Sequence, residues 1–393
     1  MSSRPTISHH SMLFVLHPVF ALTGVADVIT GPMLPSLAPA FHLSDSQSGL
    51  FLFSTFAGMS TGALLCRSDY ARALMVGLFA LTVSCLCFPF IPRPILYPFA
   101  FCFGVSIGLP MTATSLFVGR NYPARRASTL TLLNLAWSVG AMLAPLLAAQ
   151  VLGAASWHVV YFIMAASSGL AFIVVAFTIR DSAEAPRIAP EVSGLRNLRF
   201  VALFAIFFFL EVGMESMFGA WLSTYMLRVT QTTVTLAASA TAIYWTGFLI
   251  SRALSPVLLL RTPPGRLLQI ALPTAVVAAV LLLASRSPWL LITAILLLGA
   301  ALAPIFPVAL AIFFDRGRHS SDSRYLLAFS GFGGSTLLWL VGSIASHTGS
   351  LRTGLLVGPT VLLVMTAMLF SLRVSQPGPT ASAAPFDGGR HVA

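Results

Sequence analysis

Twelve apolar runs, each long enough for a helix to cross a bilayer, follow one another along the chain with short polar breaks between them. They cover residues 12–33, 47–66, 72–91, 94–118, 128–150, 157–179, 199–226, 233–259, 266–285, 288–314, 323–346 and 351–373. A spanning helix needs about 20 apolar residues. Inside lipid only a helix or a closed barrel satisfies its own backbone. Runs of this length predict an all-α integral membrane protein with twelve transmembrane helices. Composition agrees, with 57% of the 393 residues hydrophobic and 8% charged, against about 25% charged in soluble domains. The polar start, MSSRPTISHHSM, leads into an apolar run that carries Asp27 and has no small-residue cleavage site. That run is expected to stay as a helix and not to be a signal peptide.

The net charge of +11 could suggest nucleic acid, but its distribution points to membrane topology instead. All 22 basic residues are arginine. Counted over alternating loops, 17 of them fall on one face, including Arg67, Arg72, Arg120, Arg125, Arg126 and the group at 180–199. The other face has only Arg93, Arg228, Arg286 and Arg352, and Arg252 lies inside the eighth run. Arginine-rich loops mark the cytoplasmic side, so both termini are expected there, in the inner membrane of a bacterium. The absence of lysine excludes a Gly-x4-Gly-Lys nucleotide loop, which leaves gradients as the energy source for any uphill work this chain does at the membrane. Cys66, Cys85, Cys87 and Cys102 lie in or beside apolar runs and read as small buried hydrophobes. Neither they nor the eight scattered histidines have metal-ligand spacing. No metal, cofactor or enzymatic constellation is expected.

The longest internal polar stretch, RDSAEAPRIAPEVSGLRNLR (180–199), divides the chain into two sets of six runs. The expected organisation is a half over 1–180, a cytoplasmic linker over 181–198, a second half over 199–373 and a disordered cytoplasmic tail over 374–393. The halves look alike where each begins. Asp27-x3-Gly31-x2-Leu34 in the first run matches Glu215-x3-Gly219-x2-Leu222 in the seventh, the pattern of a parallel repeat.

These acids are the residues that demand a reason. A charge at mid-membrane costs roughly 2.5–3.5 kcal/mol on insertion scales, so Asp27, Glu211 and Glu215 are expected to face the bundle interior. Burial penalises the charged form of a carboxylate. An acid opened to water on alternate sides can therefore take up and release a proton; the competing role is a structural acid bonded to its neighbours. Glu211 and Glu215 lie one turn apart on a similar face, where two carboxylates do not easily ionise together.

Trp137, Trp221, Tyr225, Tyr244, Trp245 and Trp339 lie within runs and could stack on the apolar face of a sugar ring; an interfacial belt is the alternative. Asn134, an amide in mid-run, can donate to and accept from a hydroxyl. His17 could relay protons, but it reads first as a packed, hydrogen-bonded residue. Arg252 reads as a snorkelling side chain or a gate contact.

Two six-helix halves joined by a charged loop resemble the major facilitator superfamily. Several segments resemble its fucose permease-like branch of proton–sugar symporters: GVADVITGPMLPSLAPAFHLSDSQSGLF, EVGMESMFGAWLSTYM with Gly213, Glu215, Trp221 and Tyr225, LTLLNLAWSVGAMLAP, and APIFP at 303–307. The resemblance covers nearly all of 12–373 and places an acid at Glu215, where Glu211 stands in a position more often tyrosine. It also implies departures. The superfamily's Gly-x3-Asp-Arg-x-Gly loop keeps Gly62 and Arg67, a gating position, but has Cys66 and Asp69 at the acid and second glycine. The branch's Asn-x-x-Asp and Gln-x-x-Asn keep Asp27 and Asn134 but have Gly24 and Thr131, and the fourth run has no acid. Gly140, Ala144, Pro145, Ala148 and Ala149 are similar to an antiporter motif of the superfamily. The expected activity is proton symport of a small polar solute, a monosaccharide being favoured, by a monomer in a lipid bilayer. Proton-driven efflux of a drug-like compound or metabolite is the alternative.

Overall fold

A computed structural model of the chain describes residues 9–66, 69–122, 126–178, 198–317 and 323–371. All regular structure among them is helical. In the first part of the chain lie α1 (His9–Val28), α2 (Thr30–Ala40), α3 (Asp45–Leu65), α4 (Tyr70–Cys87), α5 (Leu96–Asn121), α6 (Arg126–Ala154) and α7 (His158–Thr178). The second part has α8 (Leu198–Thr230), α9 (Val234–Leu259), α10 (Pro264–Ala284), α11 (Pro288–Leu302), α12 (Ile305–Gly317), α13 (Ser323–Thr348), α14 (Leu351–Leu355) and α15 (Val357–Ser371). Joined across their breaks, α1/α2, α11/α12 and α14/α15 each make one crossing, which gives twelve. Eleven of these are both long and apolar enough to span a bilayer; α13 has the length, with 26 residues.

The breaks follow from proline. Pro32 has no N–H for the Val28 carbonyl, and its ring crowds that oxygen, so the ladder is interrupted at Ile29, between α1 and α2. The helix then resumes to Ala40, well past the expected end at 33. Pro304 and Pro307 interrupt α11/α12 in the same way. Helix starts at the ends are fixed by local chemistry. Ser44 and Gln47 form a reciprocal capping box on α3, Thr233 caps α9 and Ser350 caps α14.

Inside the first half α3 packs on α5, α1 on α6, and α4 on α5 and α7; inside the second, α8 packs on α13, α9 on α11, and α10 on α11 and α15. The contacts that join the halves include α3 with α13, α6 with α9, α2 with α9, and α2 with α8. The last needs a bare backbone. A Cβ on Gly31 would stand 2.6 Å from the Ala220 Cα and 2.7 Å from the Gly219 carbonyl oxygen, so the repeat-mates Gly31 and Gly219 meet where the halves cross.

Large apolar side chains such as Phe14, Phe79, Phe177, Leu260 and Trp289 cover the outside, as expected of a surface solvated by lipid. Most membrane hydroxyls bond back to their own helix, for example Thr55 to the Phe51 carbonyl and Thr246 to the Ala242 carbonyl. Few are left for a solute. Cys66 and Cys85 are buried as expected, but Cys87 and Cys102 are exposed, because each falls on the outer face of its helix. The linker 181–197, the tail and Arg67 lie outside the described residues.

Candidate functional site

A small cavity of about 30 Å³ lies between the halves. Asp27, Val28, Thr30 and Gly31 reach it from α1/α2, and Leu52 and Phe56 from α3. Trp137 of α6, Trp245 of α9, and Glu215, Ser216, Gly219 and Ala220 of α8 complete the lining. A water needs about 10–15 Å³ by this measure, so the space holds about two waters. Anything larger would enter only after the halves separate.

Asp27 and Glu215, the repeat-mates, are both half-buried and face this one space, close enough for their charges to interact. The Trp137 indole N–H approaches Asp27 but stays outside hydrogen-bond geometry, and the Trp245 N–H also has no acceptor. The two indoles meet edge to face across the halves, 5.6 Å between centroids. Trp245 fits beside α8 because Gly219 is bare; a Cβ there would lie 2.9 Å from its ring. Tyr244 donates its hydroxyl to the Glu215 backbone carbonyl at 3.4 Å.

Glu211 is fully buried, and neither carboxylate oxygen has a partner. The charged group facing it from α9 is Arg252, whose guanidinium interacts electrostatically with Glu211 and Glu215 without forming an ion pair. Arg252 instead crosses to the other half. Its Nη1 donates to the Ser138 hydroxyl at 3.2 Å, and its guanidinium lies 4.4 Å from the Phe248 centroid and 5.7 Å from that of Trp137. It therefore does not snorkel outward; it spans α9 to α6.

The other sequence-derived candidates lie away from the cavity. Trp221 is fully buried and donates to the Leu338 carbonyl at 3.1 Å, tying α8 to α13. Tyr225 donates to the Leu282 carbonyl at 3.3 Å, on α10. Trp339 is 42% exposed on α13. Asn134 is exposed and donates to the Leu130 carbonyl of its own helix at 2.9 Å. His17 bonds the Leu13 carbonyl through Nδ1 at 2.7 Å. Conversely, Thr30, Ser216 and Phe56 line the cavity and were not singled out from the sequence. The Thr30 hydroxyl has no partner. The available signal was spacing, since Thr30 lies three residues after Asp27, on its helical face.

The Major Facilitator Superfamily profile matches residues 16–323. The chain belongs to this superfamily. It is 22% identical over 369 residues to the glucose/mannose transporter GlcP of Bacillus subtilis (strain 168), covering 88% of this chain and 91% of that protein. Its fold is similar to that of the D-xylose-proton symporter (TM-score 0.75, 14% identity, 93% of this chain and 97% of that one). It is also similar to FucP in the outward conformation (0.64, 19%, 93% and 99%) and to a bacterial Spinster homologue, inward-facing and occupied (0.72, 15%, 96% and 100%). The protein is thus a multi-pass secondary transporter and not an enzyme.

The departures from the fucose permease-like pattern have physical reasons. A Cβ on Gly24 would collide with the Trp137 carbonyl oxygen, so an asparagine does not fit the α1–α6 crossing. Thr131 is exposed. Asp69 caps α4 by accepting from the Arg72 N–H at 3.0 Å, which accounts for its carboxylate without a charge cluster between helices.

Proposed function

We propose that this transporter carries a small polar solute, a monosaccharide being the favoured class, in symport with protons across a bacterial cytoplasmic membrane with both termini inside. One observation carries the reading: Asp27 and Glu215, acids from equivalent places in the two halves, face the same central cavity between two tryptophans. Asp27 and Glu215 are the proton-coupling groups, and Glu211 is the carboxylate with which Glu215 shares charge. Trp137 and Trp245 are the surfaces for a sugar ring once the halves part, since rings with a polar edge suit half-polar ligands. Arg252 gates by holding α9 to α6. The sugar transport named for GlcP and for the xylose symporter supports the substrate class.

The efflux alternative drew on the antiporter-like segment of α6. That segment is accounted for by packing, because a Cβ on Gly140 would collide with the Ala21 carbonyl of α1 and Ala144 and Ala148 are fully buried. Proteoliposomes carrying a pH dye decide between the two. Symport alkalinises the outside when a monosaccharide is added there. Acidification would favour antiport and sink the symport reading.

A further inference from the structure

A second space, open to the surroundings, lies near the ends of the helices and away from the central site. At the arginine-poor end of the first half, where α2, α4 and α7 end or begin, this cavity measures about 410 Å³. This is within the range of about 300–1,000 Å³ typical of small-molecule sites. Phe41 and Trp157 supply aromatic wall, and His42, Arg93 and His158 supply the nitrogen groups; no acid lines it.

Arg93 and His158 are held by side-chain bonds, and His42 is placed by its backbone. Arg93 donates through Nη2 to the Gln47 side-chain oxygen at 3.3 Å, the same oxygen that accepts the Ser44 N–H in the α3 capping box. The guanidinium is thereby tethered to a helix start with further N–H groups to offer. His158 opens α7, where the backbone dipoles favour negative charge. Its ring stacks on Trp157 at 3.9 Å, and its Nδ1 bonds the Ser156 hydroxyl at 2.5 Å, which leaves Nε2 for a ligand. His42 follows α2 with φ +50°. The Leu43 N–H bonds the Ala38 carbonyl and the His42 N–H bonds the Pro39 carbonyl, the helix ending in which glycine is the usual residue. A histidine in this left-handed place puts an imidazole at the cavity where a glycine would leave none. The neighbouring acid, Asp45, has both oxygens taken by Arg228.

We propose that this cup binds a phosphate-type anion, with Arg93, His42 and His158 as donors and the aromatic wall covering an apolar or ring-shaped body attached to it. A phospholipid headgroup and a free phosphate share this chemistry, and the cavity opens at the level where the helices end. The site is separate from the central cavity, and its test requires no transport.

Purified full-length protein in detergent is titrated with phosphatidylglycerol, with phosphatidylcholine and with inorganic phosphate, and its thermal midpoint is followed. The variants are Arg93→Gln and His42→Gly, the second keeping the left-handed backbone so that folding is spared. Phosphatidylglycerol should raise the midpoint, and each variant should weaken its apparent affinity by about tenfold, the scale of one lost charge-assisted contact. Phosphatidylcholine, whose phosphate is paired with a choline cation that no acid of the cup receives, should act weakly and equally on all three proteins. A shift with inorganic phosphate that is likewise lost in the variants keeps the site and makes its ligand soluble. Anion binding equal in wild type and both variants, or none at all, overturns the proposal.

Discussion

The two helices that open the halves, α1/α2 and α8, carry the same pattern on different scaffolds. In α1/α2 the acid Asp27 sits in the last turn before a proline break, beside the freed Val28 carbonyl, and Val28 itself lines the cavity. In α8 the acid Glu215 sits inside 33 uninterrupted helical residues. The register that pairs Asp27 with Glu215 also pairs Thr23 with Glu211. Thr23 satisfies itself on the Phe20 carbonyl at 2.7 Å, whereas Glu211 is buried with no partner. Architecture is thus shared between the halves, but charge is not. One half holds a single acid at a discontinuous backbone, of the kind that lines transporter sites. The other holds two acids and an arginine on continuous helices.

If that contrast reflects a division of labour, Asp27→Asn should have the largest effect. The amide copies the shape of the acid but has no proton to exchange. Uphill accumulation of any transported sugar in proteoliposomes should fall to a ratio of about one, the value for transport without coupling to a gradient, while counterflow exchange persists. Retained accumulation would move coupling to α8 and reverse the comparison.

The α8 cluster makes a graded expectation. Glu215→Gln should weaken sugar binding by about tenfold, the equivalent of about 1.4 kcal/mol, because Glu215 faces the cavity. Glu211→Gln should cost less, about threefold, since its effect has to pass through Glu215 or Arg252; coupled neighbours of this kind show interaction energies of about 0.5–3 kcal/mol. Equal losses in a binding titration would make the two acids one unit. A larger loss at Glu211 would remove Glu215 from the site.

How much of this was legible beforehand depends on what each residue type can report. The spans were readable because lipid forces every helix to be apolar over a fixed length, and the pairing of Asp27 with Glu215 was readable because the repeat preserves spacing. The fate of the aromatics was not. Trp221 and Trp245 are both tryptophans in mid-span, yet one indole is spent on the Leu338 carbonyl and the other is left facing the cavity. That difference is set by helix rotation and by which neighbours are glycine, such as Gly219. For Arg252 the sequence left snorkelling and a gate contact both open, since length alone suits snorkelling and only the position of α6 brings Ser138 within reach. Gly24 could be seen to replace an asparagine, but the Trp137 carbonyl that excludes one is distant in sequence.

Gly24→Asn tests that last point. Restoring the residue expected from the fucose permease-like pattern should not improve transport. It should destabilise by about 1–3 kcal/mol, the usual cost of forcing atoms into a packed contact, and lower the thermal midpoint. A variant with unchanged stability and tighter sugar binding would show that α1 can adopt the branch's own geometry.

The smallest effect is expected where the asymmetry reaches the arginine-poor end. Arg228, near the end of α8, forms a two-pronged ion pair with Asp45 of α3 at 2.5 and 2.7 Å, and its register mate in α2 is Ala40. Among the described residues, this charged clasp between the halves therefore has no counterpart at the matching position across the pseudo-symmetry axis. Arg228 is 46% exposed, and pairs of this kind contribute about 0.2–1 kcal/mol. Asp45→Asn should then raise the population open at this end by no more than about fivefold, the value that 1 kcal/mol allows. Spin labels at Leu50 and Leu236, both exposed near the same end, would read this as growth of a longer-distance component. The backbone contact from the Ser46 N–H to the Ser346 hydroxyl, at 2.8 Å, and the close approach of Gly342 to Asp45 remain in the variant. An unchanged distance distribution would assign closure to that packing between α3 and α13, and the ion pair would then mark the asymmetry without using it.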